Sequence, residues 1–488
     1  MAERRASRLD RAVEAALANV GAHPHAAGVA VIPGDDEAFA IRAASARAAE
    51  RTLDLQYYIW RGDLTGRLLA REVLEAADRG VVVRMLLDDA YAIGHERSIA
   101  ALDAHPRIEV RLFNATRWRR FGRFGHALEI AFGGWHLTRR MHNKAWIADG
   151  RFVVLGGRNV GDEYFGLAGE AGMTFRDLDV ALAGAPAGQA VALFDRYWAS
   201  SLARKAEAIC VVAERQGLPR LRAELEETAA STTGLHRALG RHPARHIRRG
   251  LMPVAPDAVR VIADAPEKAR RGLGARKRAR AAGGIAAEIA DALRGAQREA
   301  LLISPYFVPG RQGLALLAGL VQRGVVVSVV TNALAATDVV AVHGGYMRYR
   351  RALLRTGIAL HELKPDAIEE KASLFGSRGG ASLHTKALVV DGELAFVGSF
   401  NLDPRSAMLN TEMGAFVRHA GVARQIVAEH ARLMEPARSW KVLLEGHRLI
   451  WCDEAEGRQR RVHAEPQASW KRIAVAWLAR LLPIEQQL

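Results

Sequence analysis

Residues 383–405, LHTKALVVDGELAFVGSFNLDPR, carry a set of polar residues that an earlier stretch of the chain repeats in the same places. The earlier stretch is residues 141–165, MHNKAWIADGRFVVLGGRNVGDEYF. A constant spacing of 242 residues (384 − 142) separates the histidines, aspartates and asparagines of the two copies: His142 and His384, Asp149 and Asp391, Asn159 and Asn401. We therefore expect a duplicated domain whose two half-sites form one active site.

The composition is that of a globular protein. Of 488 residues, 50% are hydrophobic and 25% are charged, and the length together with the duplication predicts two main domains. Two cysteines, Cys210 and Cys452, show neither a disulfide pattern nor metal-ligand spacing. We expect no transmembrane helix and no secretory signal, because no run of eighteen apolar residues occurs.

The net charge of +16 predicts a surface that attracts polyanions, either anionic lipid or nucleic acid. The alternative is that the arginine-rich composition has no functional meaning. Two basic runs, residues 235–250 and 268–284, contribute much of this charge and are most simply solvated surface.

Before each motif copy, apolar strand-like runs alternate with amphipathic helical segments in the same order. This order predicts an α/β fold in which each domain is a sheet flanked by helices. The expected divisions are a helical lead (1–28), a first domain (29–213), a helical and basic connector (214–252), a second domain (253–436) and a C-terminal hairpin with an amphipathic helix (437–488).

Each motif contains an Asp-Gly pair between two β-rich runs, which is a strong hairpin signal. A two-residue turn would place His384 opposite Ser399 and His142 opposite Gly157. The histidine, the lysine, the Ser or Gly and the asparagine of each copy would then project from one face of the sheet.

These residue types suit phosphodiester chemistry. A neutral imidazole can attack phosphorus, and a second, protonated imidazole can protonate the leaving alkoxide. Two ammonium groups and two amides can hold the phosphoryl oxygens. A lysine at the second position of each H-x-K argues against metal ligation, so we expect no metal and no cofactor.

The pattern H-x-K-x4-D-x6-G-[GS]-x-N, present twice, resembles the phospholipase D superfamily. The segments YYIW, TNALAATD, HELKP and LLPIE resemble bacterial cardiolipin synthases of the short type without N-terminal transmembrane helices. The resemblance implies two mixed sheets flanked by helices, related by a pseudo-two-fold axis, with a single active site between them.

The resemblance also assigns roles. It implies that His142 is the nucleophile that forms a phosphatidyl-histidine and that His384 is the general acid that later acts as base. Asp149 and Asp391 complete the catalytic set, although each could also serve only as a turn former. The expected supporting residues fall into two groups: phosphate-binding Lys144, Lys386, Asn159, Asn401, Ser399 and Gly157, and histidine-orienting Asp177 (or Asp179) for His142 and Glu412 for His384.

The resemblance implies a phosphatidyltransferase that makes cardiolipin from phosphatidylglycerol and a second glycerophospholipid. Its expected partners are anionic phospholipids, with phosphatidylethanolamine as an alternative donor, and it is expected on the cytoplasmic side of the bacterial inner membrane as a peripheral protein. No nucleic-acid partner is expected. The rival hypotheses are a phospholipase D-type hydrolase, a nuclease and a non-catalytic membrane binder.

Three further features are candidates for the mouth of the site or for membrane contact. Residues 469–482 predict a helix with a tryptophan- and leucine-rich stripe, which either lies in a lipid interface or packs on the domain. Residues 117–126 mix arginine with aromatics. Eight residues at or after strand ends are candidate mouth residues: Tyr57, Tyr58, Asp88, Asp89, Tyr306, Asn332, Asp338 and His343.

Overall fold

The computed structural model describes residues 6–18, 26–116, 118, 121, 124–125, 128–129, 138–167, 173–210, 217–232, 250–270, 274, 283–367, 380–455 and 458–482. Most of the aromatic and basic stretch 117–126 therefore lies outside the described residues. The same holds for nearly all of the basic run 235–250 and for most of the run 268–284.

The first half contains ten strands and seven helices among the described residues. Its strands are β1 Ala27–Ile32, β2 Thr52–Tyr57, β3 Val82–Asp88, β4 Ile108–Phe113, β5 Ala145–Ala148, β6 Phe152–Gly156, β7 Met173–Arg176, β8 Asp179–Ala183, β9 Ala203–Lys205 and β10 Met252–Val254. Its helices are α1 Arg8–Ala18, α2 Asp35–Ala48, α3 Leu64–Asp78, α4 Asp89–Ala92, α5 Glu96–Asp103, α6 Ala185–Trp198 and α7 Gly217–Ser231.

The second half contains eleven strands and seven helices among the described residues. Its strands are β11 Val259–Ala263, β12 Glu299–Ile303, β13 Val326–Asn332, β14 Ala359–Leu363, β15 Gly380–Leu383, β16 Ala387–Val390, β17 Leu394–Gly398, β18 Met413–Arg418, β19 Ser439–Glu445, β20 Arg448–Ala455 and β21 Arg458–Val462. Its helices are α8 Ile285–Arg294, α9 Gly310–Gln322, α10 Val340–Met347, α11 Arg350–Arg355, α12 Pro404–Met408, α13 Ala420–Leu433 and α14 Trp470–Leu481.

Two large mixed sheets repeat the same strand order. The first runs β10-β1-β8-β6-β5-β2-β3-β4-β9, and the second runs β11-β18-β17-β16-β12-β13-β14-β19-β20-β21. In both, three neighbouring strands are parallel (β2, β3 and β4; β12, β13 and β14), and the motif hairpin pairs antiparallel beside them. The predicted α/β fold of two related domains, each a mixed sheet flanked by helices, is confirmed.

One buried cluster joins the two halves. It receives alternate residues of β5 and β6 from one sheet and alternate residues of β16 and β17 from the other: Ala145, Ile147, Val153, Leu155, Ala387, Val389, Ala395 and Val397. The residues between them point away and pack under α2 and α3 or under α8 and α9. Because both faces of each motif hairpin are buried, the hairpins are apolar throughout, and the sheets meet along the strands that carry the motifs.

The predicted hairpin register is wrong by one residue. A two-residue turn would pair Val390 with Glu393, but Val390 pairs with Leu394, and Ala148 likewise pairs with Phe152. The Asp-Gly turn is present, since Asp391 has φ 56° and Gly392 has φ 68°, but one extra residue follows it. The predicted opposition of His384 to Ser399, and of His142 to Gly157, therefore does not occur.

Candidate active site

The paired histidines and lysines lie immediately before strands β5 and β16, at the ends of the two motif hairpins. All four side chains are buried, with His142 8%, Lys144 1%, His384 5% and Lys386 1% exposed. Because the hairpins belong to facing sheets that share one core cluster, these strand ends come together between the halves.

Main-chain hydrogen bonds fix each histidine to the opposite half. The N–H of His142 donates to the carbonyl of Thr411 over 2.8 Å, and the N–H of His384 donates to the carbonyl of Arg176 over 2.7 Å. Strands β7 and β15, one from each half, also pair in parallel. The two halves thus share backbone structure at the site.

The residues that follow these carbonyls supply the orienting carboxylates. Nδ1 of His142 lies 2.8 Å from Oε2 of Glu412, and Nδ1 of His384 lies 2.5 Å from Oδ2 of Asp177. Each histidine is therefore paired with a carboxylate of the other half, and the predicted pairing of Asp177 with His142 and of Glu412 with His384 is wrong. Asp179, the alternative to Asp177, instead bonds the guanidinium of Arg42 over 2.8 Å.

Because Nδ1 of each histidine contacts a carboxylate, only the other ring nitrogen is left to react. A neutral imidazole that donates its Nδ1 hydrogen to a carboxylate keeps its lone pair on Nε2. In both His142 and His384, Nε2 is therefore the nitrogen that is left to react.

Burial favours neutral imidazoles here. Burial lowers the pKa of His142 to about 4, with Lys144 adding to the effect and Glu412 opposing it. Burial also lowers the pKa of His384 well below its usual value, and Lys386 adds to that effect. At neutral pH both rings are unprotonated in the free protein, the state that a nucleophile needs.

Glu412 behaves as an anion. Burial alone would raise its pKa, but the neighbouring His142, followed by Lys144 and Ser399, holds the pKa below the usual value. Ser399 donates its hydroxyl hydrogen to Oε2 of Glu412 over 2.5 Å, and the N–H of Met413 donates to Oγ of Ser399. The carboxylate is thus fixed in place by its own half while it orients a histidine of the other.

The two lysines are buried cations with weakened affinity for their protons. Nζ of Lys144 donates to the carbonyl of His142 over 2.7 Å, and Nζ of Lys386 donates to the carbonyl of His384. Burial lowers the pKa of Lys144 to about 7, with Glu412 opposing the effect and the Lys386 charge adding to it. Burial also lowers the pKa of Lys386 to about 8, and the neighbouring carboxylates, Asp177 first, oppose that effect. Two such ammonium groups form a natural site for a phosphodiester anion.

Gly157 and Ser399 occupy matching positions but act differently. A Cβ on Gly157 would lie only 2.1 Å from Oδ1 of Asp177, so glycine is required for that carboxylate to approach. In the second half Ser399 fills the corresponding space and bonds Glu412. Both residues therefore serve the orienting carboxylates.

Asn159 and Asn401 also differ. Oδ1 of Asn159 accepts from the N–H of Ile59 over 3.1 Å, and Nδ2 donates to the hydroxyl of Tyr164 over 2.9 Å. Asn401 is buried, and its Oδ1 has no hydrogen-bond partner among the described residues. The Asn159 amide is a support for Tyr164, whereas Oδ1 of Asn401 retains the capacity to accept a hydrogen bond.

Asp149 and Asp391 lie at the other end of the hairpins, away from the histidines. Asp149 accepts hydrogen bonds from the backbone N–H groups of Glu50, Arg51 and Thr52. Asp391 does the same for three residues at the start of β12, Gln297, Arg298 and Glu299. These hydrogen bonds support the alternative role of both aspartates, as turn formers that anchor the start of the neighbouring strand, and their membership of the catalytic set stays a prediction.

Two of the candidate mouth residues hold the histidine segments. Oδ2 of Asp88 accepts from the N–H of Met141 over 2.9 Å. Asn332 forms two hydrogen bonds to the backbone of Leu383. Each therefore fixes the residue before a motif histidine.

The other candidate mouth residues divide into two groups. The ring of Tyr58 lies edge-on to His142 with centroids 5.1 Å apart, and Tyr306 bonds Asp338. Three belong instead to internal hydrogen-bond networks: Tyr57 with Arg42, Asp89 with Thr116, and His343 with Arg350.

Sequence reasoning missed two aromatic neighbours of His384. The rings of Tyr164 and Phe175 lie 5.3 and 4.9 Å from the His384 ring, between centroids. Tyr164 belongs to the first motif stretch, but it contacts the histidine of the second. Tyr164 could have been identified as a site residue from its position in the first motif stretch, whereas no feature of the sequence near Phe175 identifies that residue.

Within the described part of the chain, no group of three or more His, Cys, Asp or Glu residues is arranged to hold a metal ion. The charged groups near the histidines include the two lysines and the two orienting carboxylates. Chemically, this arrangement can bind an anion and move protons between imidazole and an oxygen of the anion.

Comparison with known families agrees with this geometry. A family profile described as "Cardiolipin synthase, PLD-like domain" matches residues 43–198 and 289–434, which contain both motif copies. The chain belongs to this phospholipase D-like cardiolipin synthase family. The predicted membership of the phospholipase D superfamily, and of its phosphatidyltransferase type of enzyme, is confirmed at the level of the family.

Curated relatives of this family cover most of the chain. Cardiolipin synthase C of Escherichia coli (strain K12) is 38% identical over 98% of this chain and 99% of its own length. An uncharacterized protein of Helicobacter pylori (strain ATCC 700392 / 26695) is 30% identical over 89% of this chain and 84% of its own length.

A solved structure also matches the whole fold. The phosphatidylserine synthase of Haemophilus influenzae Rd KW20 aligns with a TM-score of 0.58 at 14% identity, covering 99% of this chain and 100% of that chain. At this identity the likeness supports the architecture of two facing sheets and no more.

Proposed function

We propose that this protein is a phosphatidyltransferase that makes cardiolipin from phosphatidylglycerol and a second glycerophospholipid through a phosphatidyl-histidine on His142. One observation carries the proposal: the two H-x-K histidines each bind, through Nδ1, a carboxylate of the other half, so both Nε2 atoms remain for substrate. Family membership and the 38% identity to a cardiolipin synthase C supply the lipid substrate class.

The first half-reaction transfers the phosphatidyl group to the protein. Nε2 of His142 forms a bond to phosphorus while the bond from phosphorus to the headgroup oxygen breaks. His384 gives its Nε2 proton to that oxygen, and the headgroup leaves as an alcohol. In the free protein His384 is neutral, and a bound phosphodiester anion favours its protonated form.

The second half-reaction reverses these roles. The hydroxyl of phosphatidylglycerol gives its proton to His384, its oxygen bonds to phosphorus, and the bond from phosphorus to Nε2 of His142 breaks. Lys144 and Lys386 hold the phosphoryl oxygens throughout, and Asn401 is the additional amide donor. Glu412 and Asp177 keep both imidazoles in the required tautomer.

Peripheral membrane association is part of the proposal. Among the described residues, no helix is both long enough and apolar enough to cross a bilayer. Helix α14 instead exposes large apolar side chains, including Trp470 at 75% and Leu481 at 76%, while its small residues Ala476 and Ala479 are buried. This pattern is typical of a helix that rests in a lipid interface, and we place the protein on the cytoplasmic face of the bacterial inner membrane.

The deciding experiment is product analysis with defined lipids. Purified protein is incubated with vesicles of labelled phosphatidylglycerol, alone or with phosphatidylethanolamine, with and without EDTA. We expect cardiolipin in each case and none from His142→Ala whose circular dichroism is unchanged.

The rival functions give different results in the same assay. Phosphatidic acid as the sole product of the native protein would favour a hydrolase. Cleavage of DNA without lipid turnover would favour a nuclease, and full turnover by His142→Ala would contradict the covalent mechanism.

A further inference from the structure

A carboxylate and a tyrosine form a pair on the second half. Asp338 is exposed, and the hydroxyl of Tyr306 lies 2.8 and 2.7 Å from its two oxygens. Burial, with the Asp338 charge, raises the pKa of Tyr306 well above its usual value, so the hydroxyl keeps its hydrogen and donates it. The carboxylate still has lone pairs to offer a ligand, because each oxygen accepts more than one hydrogen bond.

The segment that carries Asp338 is bonded to the segment that carries His384. Asp338 ends the short loop that follows β13, and Asn332, the last residue of β13, is bonded to Leu383, directly before His384. Burial lowers the pKa of His384, whereas the Asp338 charge raises it, so the carboxylate is within electrostatic reach of the ring.

Tyr306 is tied to the other end of the second motif. The next residue, Phe307, forms a parallel bridge with Leu402, which follows Asn401. The hydroxyl of Ser304 accepts from the N–H of Leu402 over 3.0 Å and donates to the carbonyl of Tyr306. The pair thus lies between the segments that carry His384 and Asn401.

At the corresponding described positions, the first half has no copy of this pair. Strands β2 and β12 begin at Thr52 and Glu299, an offset of 247 residues, which places Ile59 at the position of Tyr306. Strands β3 and β13 begin 244 residues apart, which places Gly94 at the position of Asp338. Because the two halves have different roles in the proposed reaction, a polar pair at only one of two corresponding places points to a step that differs between them.

The steps that differ are those at His384. On the proposed function, on which this inference rests, the headgroup leaves and the acceptor hydroxyl enters on the His384 side, whereas His142 faces phosphorus. We propose that Asp338, oriented by Tyr306, binds the glycerol headgroup of the acceptor phosphatidylglycerol and thereby favours an alcohol over water as acceptor.

The chemistry of the pair fits this acceptor. A carboxylate only accepts hydrogen bonds, and a glycerol headgroup offers a second hydroxyl next to the one that reacts. Hydrogen bonds to a charged acceptor are stronger than those between neutral groups, and they orient the diol. Water gains no such orientation, and an acceptor headgroup with its own carboxylate would be repelled.

The loop that presents Asp338 is braced by helix α14. Nε of Arg472 donates to the carbonyl of Leu334 over 3.0 Å, and its guanidinium also donates to the carbonyl of Thr337. The helix proposed to rest on the lipid surface therefore holds the acceptor-binding loop at the depth of the headgroups.

The test measures how the phosphatidyl-enzyme divides between alcohol and water. Native protein, Asp338→Asn and Tyr306→Phe are incubated with vesicles of labelled phosphatidylglycerol, and cardiolipin and phosphatidic acid are quantified. We expect the ratio of cardiolipin to phosphatidic acid to fall about tenfold or more in Asp338→Asn, and in the same direction in Tyr306→Phe. Asp257→Asn, an exposed carboxylate next to the opposite edge strand β11, is the control with an unchanged ratio.

The outcomes separate the two proposals. Cardiolipin from native protein with an unchanged ratio in Asp338→Asn overturns this inference and leaves the proposed function standing. If Asp338→Asn impairs only the release of ethanolamine from a phosphatidylethanolamine donor, the inference is also overturned, because the carboxylate would then bind the ammonium group of the leaving headgroup. Phosphatidic acid alone from native protein overturns both.

Discussion

Oε2 of Glu412, in the second half of the chain, lies 2.8 Å from Nδ1 of His142 in the first half. The carboxylate does not touch the phosphate in the proposed mechanism, but it determines which nitrogen of the nucleophile carries the hydrogen. The site therefore exists only when both halves are docked.

Glu412→Gln should lower kcat strongly. The Gln side chain can donate its amide hydrogen to Nδ1, which favours the tautomer whose Nε2 is protonated and cannot attack phosphorus. We expect kcat to fall by about a hundredfold or more with little change in melting temperature. Glu393→Gln, in the turn of the second motif hairpin and exposed, is the matched control; a Glu412→Gln enzyme as fast as this control would refute the tautomer argument.

The pH dependence of kcat/KM should reflect the buried lysines. Both must be protonated to hold the phosphate, and with pKa values of about 7 and about 8 they lose their protons as pH rises through that range. We expect kcat/KM to fall above pH 7 to 8 and, because His142 with a pKa of about 4 becomes protonated, to fall again near pH 4.

Lys144→Arg distinguishes this explanation from general alkaline damage. Arginine stays charged at every pH of the assay. The fall of kcat/KM at high pH should therefore shift to a higher pH in the activity that the Lys144→Arg enzyme retains. Lys441→Arg, on the exposed face of β19, should leave the profile unchanged. If kcat/KM fell at the same high pH in Lys144→Arg as in Lys441→Arg, the titration of Lys144 would not be the cause of the fall.

Asp149→Ala should affect stability rather than chemistry. The substitution removes an acceptor for the N–H groups of Glu50, Arg51 and Thr52 and places alanine at φ 53°. We expect the free energy of unfolding to fall by about 2 kcal/mol, with kcat per folded molecule retained. Urea unfolding and active-site titration measure the two quantities, and a large loss of kcat in fully folded Asp149→Ala would support the place of the aspartate in the catalytic set.

Much of this fold could be predicted because the relevant signals are local. Apolar runs alternate with amphipathic segments, so the strands and helices are visible in the sequence, and the duplicated H-x-K motifs indicate paired half-sites. Asp177 and Glu412 were also expected as histidine-orienting groups. The repeated order of elements predicted two sheets of the same kind.

The remaining features depend on tertiary contacts. Nothing near Glu412 in sequence indicates that it serves His142 rather than His384, because that choice is made when the halves dock. The hairpin register depends on one extra residue after each turn, Arg151 or Glu393, and Asp-Gly alone does not reveal it. The role of Asp149 depends on three backbone N–H groups about a hundred residues earlier. The sequence of the motif would be the same whether the aspartate bound those groups or the substrate.

Helix α14 should bind anionic bilayers through its exposed apolar face. The helix is held on the protein by its small residues, since a Cβ on Gly344 of α10 would lie 2.5 Å from the carbonyl oxygen of Ala476, and this leaves Trp470 and Leu481 facing solvent. Burying either side chain in lipid is worth about 1.5–3 kcal/mol, so Trp470→Ser with Leu481→Ser should reduce co-sedimentation with phosphatidylglycerol vesicles about tenfold or more. Val326→Ser, which changes another exposed apolar residue (63%) at the start of β13, should bind like the native protein. Because the altered side chains make few contacts within the protein, the melting temperature should not change, and unaltered vesicle binding by the double variant would show that another surface contacts the membrane.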